Sequence, residues 1–528
     1  MKLLNHNSMK KIYTVFIALT FCVTACKEVP VDQQLKPLVP ANLDEDAGTW
    51  QPVLMTSVTQ IPVPAPAAAA GSAAFQTEID AVKTLQANLT AEQRKVIEYW
   101  SAGGVLRWNE ILRGLVSKYN LPPAPNNLGL YPAPDANNPF GDPNFPFANP
   151  PYAARAYSYV AAAQYDALKA AWHYKYLYNR PQPMNADGGV EALMTKTTLP
   201  GYPSEDAVMS GVTAEILKLM FPAALEEITL RAAEQRNAAI WAGKATASDV
   251  SAGLALGNSV AGLFIDRAKT DGMSTSGGNP ALWAALKTNA ESRGEVAWIS
   301  LEIPPRPPML PFFGLRSFNG TSFGAKPWMM TNQDIINERP LAPPPTNSEE
   351  MKKETEEVKW YATHLTRERL AIVHKWADGV GTYTPPGHWD EIASHFIEEA
   401  NMSEVRAARV FALLNMAVHD AGISCWETKF YYFNPRPSQL DPTIKTGTGI
   451  PNFPAYTSGH SNFSAAAAAV LSYLFPQHSQ YVTEQAQEAA LSRLYGGIHY
   501  RKDCEVGLDQ GKRVASYTIN FAKADGAD

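Results

Sequence analysis

An all-α fold built from two related helical halves, interrupted by proline-rich loops, is what this 528-residue sequence predicts. Three observations lead there. Helical composition and spacing recur along most of the chain, and strand-like alternation is scarce. A set of residues returns in unchanged order 254 positions later. Asp166, Trp172 and Lys175 recur as Asp420, Trp426 and Lys429, and Tyr202-Pro203-Ser204 recurs as Tyr456-Thr457-Ser458. Asp249, Gly253, Leu254 and Gly257 recur as Asp503, Gly507, Leu508 and Gly511. Such a constant spacing points to two copies of one unit. Finally, prolines crowd residues 121–151 and 303–345, where a helix cannot continue. Loops this long in a compact body are functional or packed over something.

The chain is 45% hydrophobic, enough for a large core, and its length suits two or more folding units. A net charge of −6 with no long Lys/Arg run argues against nucleic-acid binding, which needs a basic footprint.

The N-terminus reads as a targeting segment. Lys2, Lys10 and Lys11 precede an apolar run over 12–23, too short to span a bilayer as a mature helix. The run ends in Val23-Thr24-Ala25-Cys26, which resembles a bacterial lipobox. The resemblance implies removal of residues 1–25 and diacylation of Cys26, leaving the protein lipid-anchored in the bacterial cell envelope. Lys27 stands where inner-membrane retention often has aspartate, so the outer membrane is expected. The alternative is an ordinary secretory signal with an incidental cysteine. Cys22 leaves with the signal, and Cys425 and Cys504 remain, as a bridge or as two buried thiols.

Residues 26–85 are rich in Pro, Ala and polar side chains and read as a tether. Residues 86–345 form an N-terminal helical half ending in the Pro-rich connector, with helices expected over 91–118, 153–174, 224–242 and 247–269. Residues 346–528 form the C-terminal half, with helices expected over 352–377, 389–399, 403–421, 461–474 and 482–495.

The halves differ in chemistry. The C-terminal copy carries three clusters: Lys429 with Arg436-Pro437, Ser458-Gly459-His460, and Ser492-Arg493 with His499 and Asp503. Three permanent cations, a hydroxyl, a glycine amide and two imidazoles are what a small, highly charged oxyanion needs around it. Arg436 and Arg493 offer planar forks, and Lys429 offers a mobile point charge. Ser458 and Gly459 supply neutral donors at the start of an Ala-rich helix, whose N-terminal amides also favour an anion. Gly496 and Gly497 relax the backbone just before His499. The four-residue spacing of His499 and Asp503 puts them on one face if both are helical, so that Asp503 can fix the imidazole tautomer. His460 is placed for proton transfer. In the first copy His460 corresponds to Asp206, His499 to Ala245 and Arg493 to Ala239. One active site per chain is expected, in the C-terminal half. The other histidines read as core or surface residues, with His388 and His419 the two to watch for the cleft.

The three clusters resemble the pattern shared by type 2 phosphatidic acid phosphatases and vanadium-dependent haloperoxidases. That pattern is K-x6-RP, then PSGH, then SR-x5-H-x3-D, and this chain reads KFYYFNPRP, YTSGH and SRLYGGIHYRKD. Thr457 replaces the usual proline, which should loosen the turn without removing a ligand. The resemblance implies helical bundles packed as a pseudo-symmetric pair, as in the chloroperoxidase branch. It implies that Lys429, Arg436, Ser458, Gly459 and Arg493 hold vanadate, with His499 as the axial metal ligand and His460 as the acid–base residue. FPAYTSGHS is similar to the run in that branch where an aromatic lies near the halide pocket, which here is Phe453, and Trp426 precedes Lys429 as it does there. Core packing is the alternative for both.

The activity implied is oxidation of halide by hydrogen peroxide to hypohalous acid, with Lys429 polarising the peroxide. The same residues also suit an acid or phospholipid phosphatase, in which a phosphomonoester is attacked by His499 and the leaving oxygen is protonated by His460. A third reading, from 12 Trp and 22 Tyr, is a non-catalytic binding lipoprotein.

Overall fold

The structure is a computed structural model, which describes residues 35–119, 150–301, 305–379 and 381–527. The signal segment, Cys26 and most of the Pro-rich stretch 121–151 lie outside the described residues. From Lys36 onward the described chain is one compact unit.

Eight helices in two series of four organise it. The first series is α1 (Pro150–Tyr178), α2 (Glu205–Met220), α3 (Leu225–Trp241) and α4 (Ala247–Lys269). The second is α5 (Glu404–Tyr432), α6 (Gly459–Leu474), α7 (Ser479–Tyr495) and α8 (Arg501–Ala522). Each helix of the second series starts 254 residues after its counterpart in the first. The two 29-residue helices α1 and α5 pack against each other and are buried on all sides over most of their length. Their alanines, among them Ala153, Ala156, Ala163, Ala408, Ala412 and Ala417, let the two backbones approach.

Within each series the remaining contacts match: α2 packs on α4, and α6 on α8. Glycine makes both approaches possible. A Cβ on Gly257 would lie 2.3 Å from the Val208 carbonyl oxygen, and one on Gly511 would lie 2.2 Å from that of Asn462. Paired charges brace the helix ends: Arg155 Nε donates to Asp271 at 2.6 Å and Arg409 Nε to Asp525 at 2.7 Å. The recurring aspartates anchor loops. Asp166 accepts the backbone N–H groups of Val53, Leu54 and Met55, and Asp420 accepts those of Trp328 and Met329. A carboxylate inside a helix thereby satisfies amides of an irregular segment that has no strand or helix to pair with.

That anchoring corrects the tether reading of 26–85 across its described part. Trp50, Met55 and Val63 are buried, and Ala73–Gln86 is a helix that buries Phe75, Ile79 and Val82. The hydroxyls of Tyr174, Tyr178 and Tyr202 bond the carbonyls of Ile61, Val63 and Pro64. Proline prevented a helix here but not packing, because side chains of the body supply the missing backbone partners.

Helix limits also shift. The expected 91–118 helix is two, Ala91–Trp100 and Gly104–Tyr119, broken where Gly103 takes φ +95°. The expected 352–377 helix splits into Glu349–Thr363 and Arg367–Lys375, with Thr366 capping the second. The expected 403–421 helix runs on to Tyr432. Among the described residues the only strands are the hairpin pair Ser317–Phe318 and Thr321–Ser322. One described stretch, Ala247–Thr275, is long and apolar enough to cross a membrane, but its Leu256, Val260 and Phe264 are buried in the protein.

The Pro-rich segment after 304 covers the C-terminal half of α5. Met309 accepts the Trp426 indole N–H, and a Cβ on Gly314 would lie 2.0 Å from the Glu427 nitrogen, so the segment lies directly on the helix. Helix Arg367–Lys375 packs on α7 and helix Thr384–Ala400 on α1, α5 and α6.

Candidate active site

Four segments supply the site: the end of α5, the start of α6, the end of α7 and the turn into α8. Lys429 lies in the last turn of α5 and is fully buried. Its ammonium donates to the carbonyls of Pro454 at 2.9 Å, Ala455 at 2.8 Å and Thr457. Arg436 follows the left-handed Phe433 that ends α5. Its guanidinium donates to the Phe453 carbonyl through Nε and Nη2 and to the Ile498 carbonyl through Nη1. Arg493, in the last turn of α7, donates to Ser492 Oγ and the Val373 carbonyl.

None of these three buried cations has a carboxylate within ion-pair distance among the described residues. Burial pushes Arg436 and Arg493 each down to about 10 and lowers Lys429 as well. Such a cluster is costly unless an anion joins it.

His499 stands at the centre. Its Nδ1 is 2.9 Å from Asp503 Oδ2, and its Nε2 is 2.9 Å from Arg436 Nη1. Burial, then the cations Arg436, Lys429 and Arg493, push the imidazole well below its ordinary range, so it is neutral. A neutral ring donating from Nδ1 to Asp503 has its lone pair on Nε2. The expected His499–Asp503 pairing is present, but not on a shared helix face. His499 precedes α8, after Gly497 at φ +76°, and Asp503 sits in the first turn, where it also accepts the Tyr500 N–H. The spacing works as a helix-start geometry.

Ser458 is the N-cap of α6, its Oγ accepting the Ser461 N–H at 3.4 Å, which leaves the hydroxyl proton for another acceptor. Gly459 is the first residue of that helix, and a Cβ there would meet only ordinary contacts near Phe463 and Trp426. Thr457 does not loosen the turn. Its hydroxyl donates to Gln510 Oε1 at 2.8 Å, and Gln510 Nε2 donates to Thr428 Oγ1 at 2.9 Å, binding α5, the turn and α8 together.

His460 is on the same helix. Burial, then Arg493, push it down to about 4. Its Nε2 lies 3.6 Å from Asp378 Oδ2. Phe453 lies against two of the cations, its ring centre 5.0 Å from Lys429 Nζ and 5.1 Å from Arg436 Cζ, and Trp426 packs on it at 4.8 Å. His419 is packed elsewhere, edge-on to Phe313 and Trp328. Cys425 and Cys504 are both free and buried.

Asp378 and Trp376 border the site and carried no motif in the sequence, and His388, one of the two histidines singled out for the cleft, lies against both. They lie in or beside a loop without periodic spacing, and only the packing of that loop on α6 and α7 brings them in.

In the N-terminal half the matching positions cancel one another. Lys175 donates to the Pro200 carbonyl, as Lys429 does to that of Pro454. Glu205 occupies the place of Gly459 and ion-pairs with Lys175 at 2.7 Å and Lys244 at 2.9 Å. A side-chain carboxylate thus stands beside the lysine where the other half keeps a glycine.

The cage fits a vanadate or phosphate-like anion: forked and point cations, a free hydroxyl proton, a helix start and one nitrogen lone pair. Among the described residues no group of three His, Cys, Asp or Glu is arranged to hold a bare metal ion.

Residues 408–526 match the PAP2 superfamily. No curated protein matches the chain. The fold is similar to that of a bacterial vanadium-dependent iodoperoxidase, at 25% identity over 70% of this chain and 91% of that one, with a TM-score of 0.56. Apo and holo structures of a bacterial vanadium-dependent chloroperoxidase align at 16% and 14% identity, over 71% and 76% of this chain and 94% and 96% of those, with TM-scores of 0.49 and 0.45. All three clusters lie inside the segment that matches the PAP2 superfamily, and the chain shares its helical fold with the iodoperoxidase.

Proposed function

We propose that this protein is a vanadate-dependent haloperoxidase, oxidising halide with hydrogen peroxide to hypohalous acid. The observation that carries the reading is the set of three buried cations without carboxylate partners around the Nε2 lone pair of His499. Similarity to the iodoperoxidase over most of both chains supports the peroxidase branch.

Bound vanadate would supply the Lewis-acidic centre that activates peroxide. The chain's own residues do the rest. Lys429, Arg436 and Arg493 neutralise the anion's oxygens, the Ser458 hydroxyl and the α6 amides add neutral donors, and His499 offers Nε2 as the ligand. Asp503 keeps His499 in the tautomer that leaves that nitrogen free. Lys429, its ammonium held by three carbonyls although burial lowers its pKa to about 7, would offer positive charge to the bound group. His460 takes and returns the proton. Phe453 and Trp426 present an apolar wall on which a weakly hydrated halide can rest.

A phosphatase acting on a phosphomonoester remains the second reading, favoured by the PAP2 match, since the same His499 lone pair can attack phosphorus. One pair of assays separates the two: iodide- or bromide-dependent dye halogenation with vanadate and peroxide, and release of phosphate from an aryl phosphate without vanadate. Halogenation that disappears in His499→Ala is the expected result. Hydrolysis alone, inhibited by vanadate, establishes the phosphatase, and neither activity in the folded protein leaves the non-catalytic binding lipoprotein.

Lipid anchoring through Cys26 in the cell envelope is proposed from the lipobox resemblance. Incorporation of labelled palmitate that is lost in Cys26→Ser tests it.

A further inference from the structure

Asp378 is a buried carboxylate outside the three clusters, and its two oxygens face two histidines from different helices. Oδ1 is 3.0 Å from His388 Nδ1, on the Thr384–Ala400 helix. Oδ2 is 3.6 Å from His460 Nε2, on α6, and both of these buried atoms lack a hydrogen bond. The pair stands just outside bonding distance, so a shift of a few tenths of an ångström makes the bond when His460 carries a proton.

The carboxylate is held by more than its own backbone. Asp378 has φ +45°, in the left-handed region, which costs energy for a residue with a Cβ and persists only where surroundings impose it. The impositions are visible. The His388 ring stacks on Trp376 with centres 4.2 Å apart and planes at 21°. Trp376 Nε1 donates to Glu488 on α7, the helix that carries Arg493. His388 therefore grips the loop twice, by its hydrogen bond to Asp378 and by its stack on Trp376. Tyr383 lies edge-on to His388 and donates its hydroxyl to Glu391, and among the described residues Asp378 is the only carboxylate within ion-pair distance of either histidine.

We propose that His388 is a positioning residue for His460, acting through Asp378. His388 fixes the carboxylate, and the carboxylate orients the His460 ring and stabilises its protonated form, as the third member of a catalytic triad does for its histidine. The inference rests on His460 as the acid–base residue, a role common to the peroxidase and phosphatase readings.

Two measurements test it. In the vanadate-free protein labelled with 15N-histidine, the His460 imidazole signals are assigned by their loss in His460→Gln. They should shift in His388→Ala and in Asp378→Asn, and return toward their original positions in His388→Gln, whose amide can still donate to Asp378. In whichever activity the protein shows, His388→Ala should lower kcat about tenfold with KM within twofold and move the pH optimum, and His388→Gln should restore most of the rate. His460 signals unchanged in His388→Ala, with a melting temperature near wild type, overturn the proposal whether or not Asp378→Asn moves them. Shifted signals in a protein without either activity sink the functional reading alone. If His388→Ala fails to fold, His388→Phe, which can keep the stack on Trp376 and loses the hydrogen bond to Asp378, takes its place, and unchanged His460 signals there overturn the proposal.

Discussion

Arg436 Nη1 and Asp503 Oδ2 approach the His499 ring from opposite sides, each 2.9 Å from one of its nitrogens. The arrangement divides the imidazole into a donor end, committed to Asp503, and an acceptor end directed at a cation. An anion entering the cage competes with the hydrogen bonds that Lys429, Arg436 and Arg493 give to backbone carbonyls, with that of Arg493 to Ser492 Oγ, and with that of Arg436 to His499 Nε2 itself. Asp503→Ala frees Nδ1 to lose or keep its proton. Oxyanion affinity, read by calorimetric titration with vanadate and with phosphate, should fall about 10–100-fold, the usual loss when the partner of a ligating histidine is removed. An affinity within twofold of wild type would show that Asp503 serves only the start of α8.

His460 gives a pH prediction with a definite sign. Burial, then Arg493, lower it from 6.5 to about 4 in the folded protein. Between those values the unfolded chain binds the proton and the folded chain does not, so the contribution of His460 to stability is lost as pH falls from 6.5 toward 4. Near pH 4 the loss approaches about 3 kcal/mol if the shift holds in full. Other groups titrate in the same window, so the quantity to measure is the difference in urea unfolding between wild type and His460→Gln. That difference should move in favour of the variant on acidification. A difference that is flat between pH 4.5 and 7 contradicts it.

Much of this site was legible before any coordinate, for a physical reason. Buried cations and imidazoles are expensive, so a chain that spends Lys429, Arg436, Arg493, His460 and His499 within about 75 residues must provide something to repay them. Less legible was everything that depends on backbone. The partners of Lys429 and Arg436 are carbonyls of residues 453–457 and 498, which have no side-chain signature. Asp378 and Trp376 enter through a stretch whose path is set by packing, beside His388, which the sequence singles out for the cleft. Helices α2 and α8 carry polar and small residues on their buried faces, Ser210, Gly211 and Thr213 in one and Gly507, Gln510, Gly511 and Thr518 in the other, which weakens the periodic signal. The covering segment after Lys36 was misread because composition reports which residues cannot form helices, not which ones pack.

Glu205 yields a prediction confined to the other half. Its carboxylate bridges Lys175 and Lys244, and with Lys175 it is deeply buried. Glu205→Gln removes the charge that faces Lys175 while the lysine stays buried. Breaking one side of such a pair costs about 3–5 kcal/mol. Thermal or urea unfolding should show that loss, while vanadate affinity measured below the melting transition stays within twofold, because no residue of the C-terminal cage touches Glu205. A fall in affinity comparable to that of Asp503→Ala would instead tie the two halves together energetically.

Trp50 tests whether the segment following Lys36 is part of the folded body. Its side chain is 1% exposed, with Arg406 of α5 5.0 Å from the ring centre. Arg406 also bonds Asp44, and Asp44 accepts the hydroxyl of Ser403, the N-cap of α5. The segment therefore closes over the start of the long central helix rather than trailing from it. Trp50→Ala removes a large buried ring and leaves a cavity, a change that costs about 3–5 kcal/mol in a packed core and nothing measurable in a solvated tether. The expected outcome is a melting temperature lowered by several degrees, with limited proteolysis cutting near residue 50 in the variant and not in wild type. Equal stability of the two proteins would return residues 36–72 to the role of a leash.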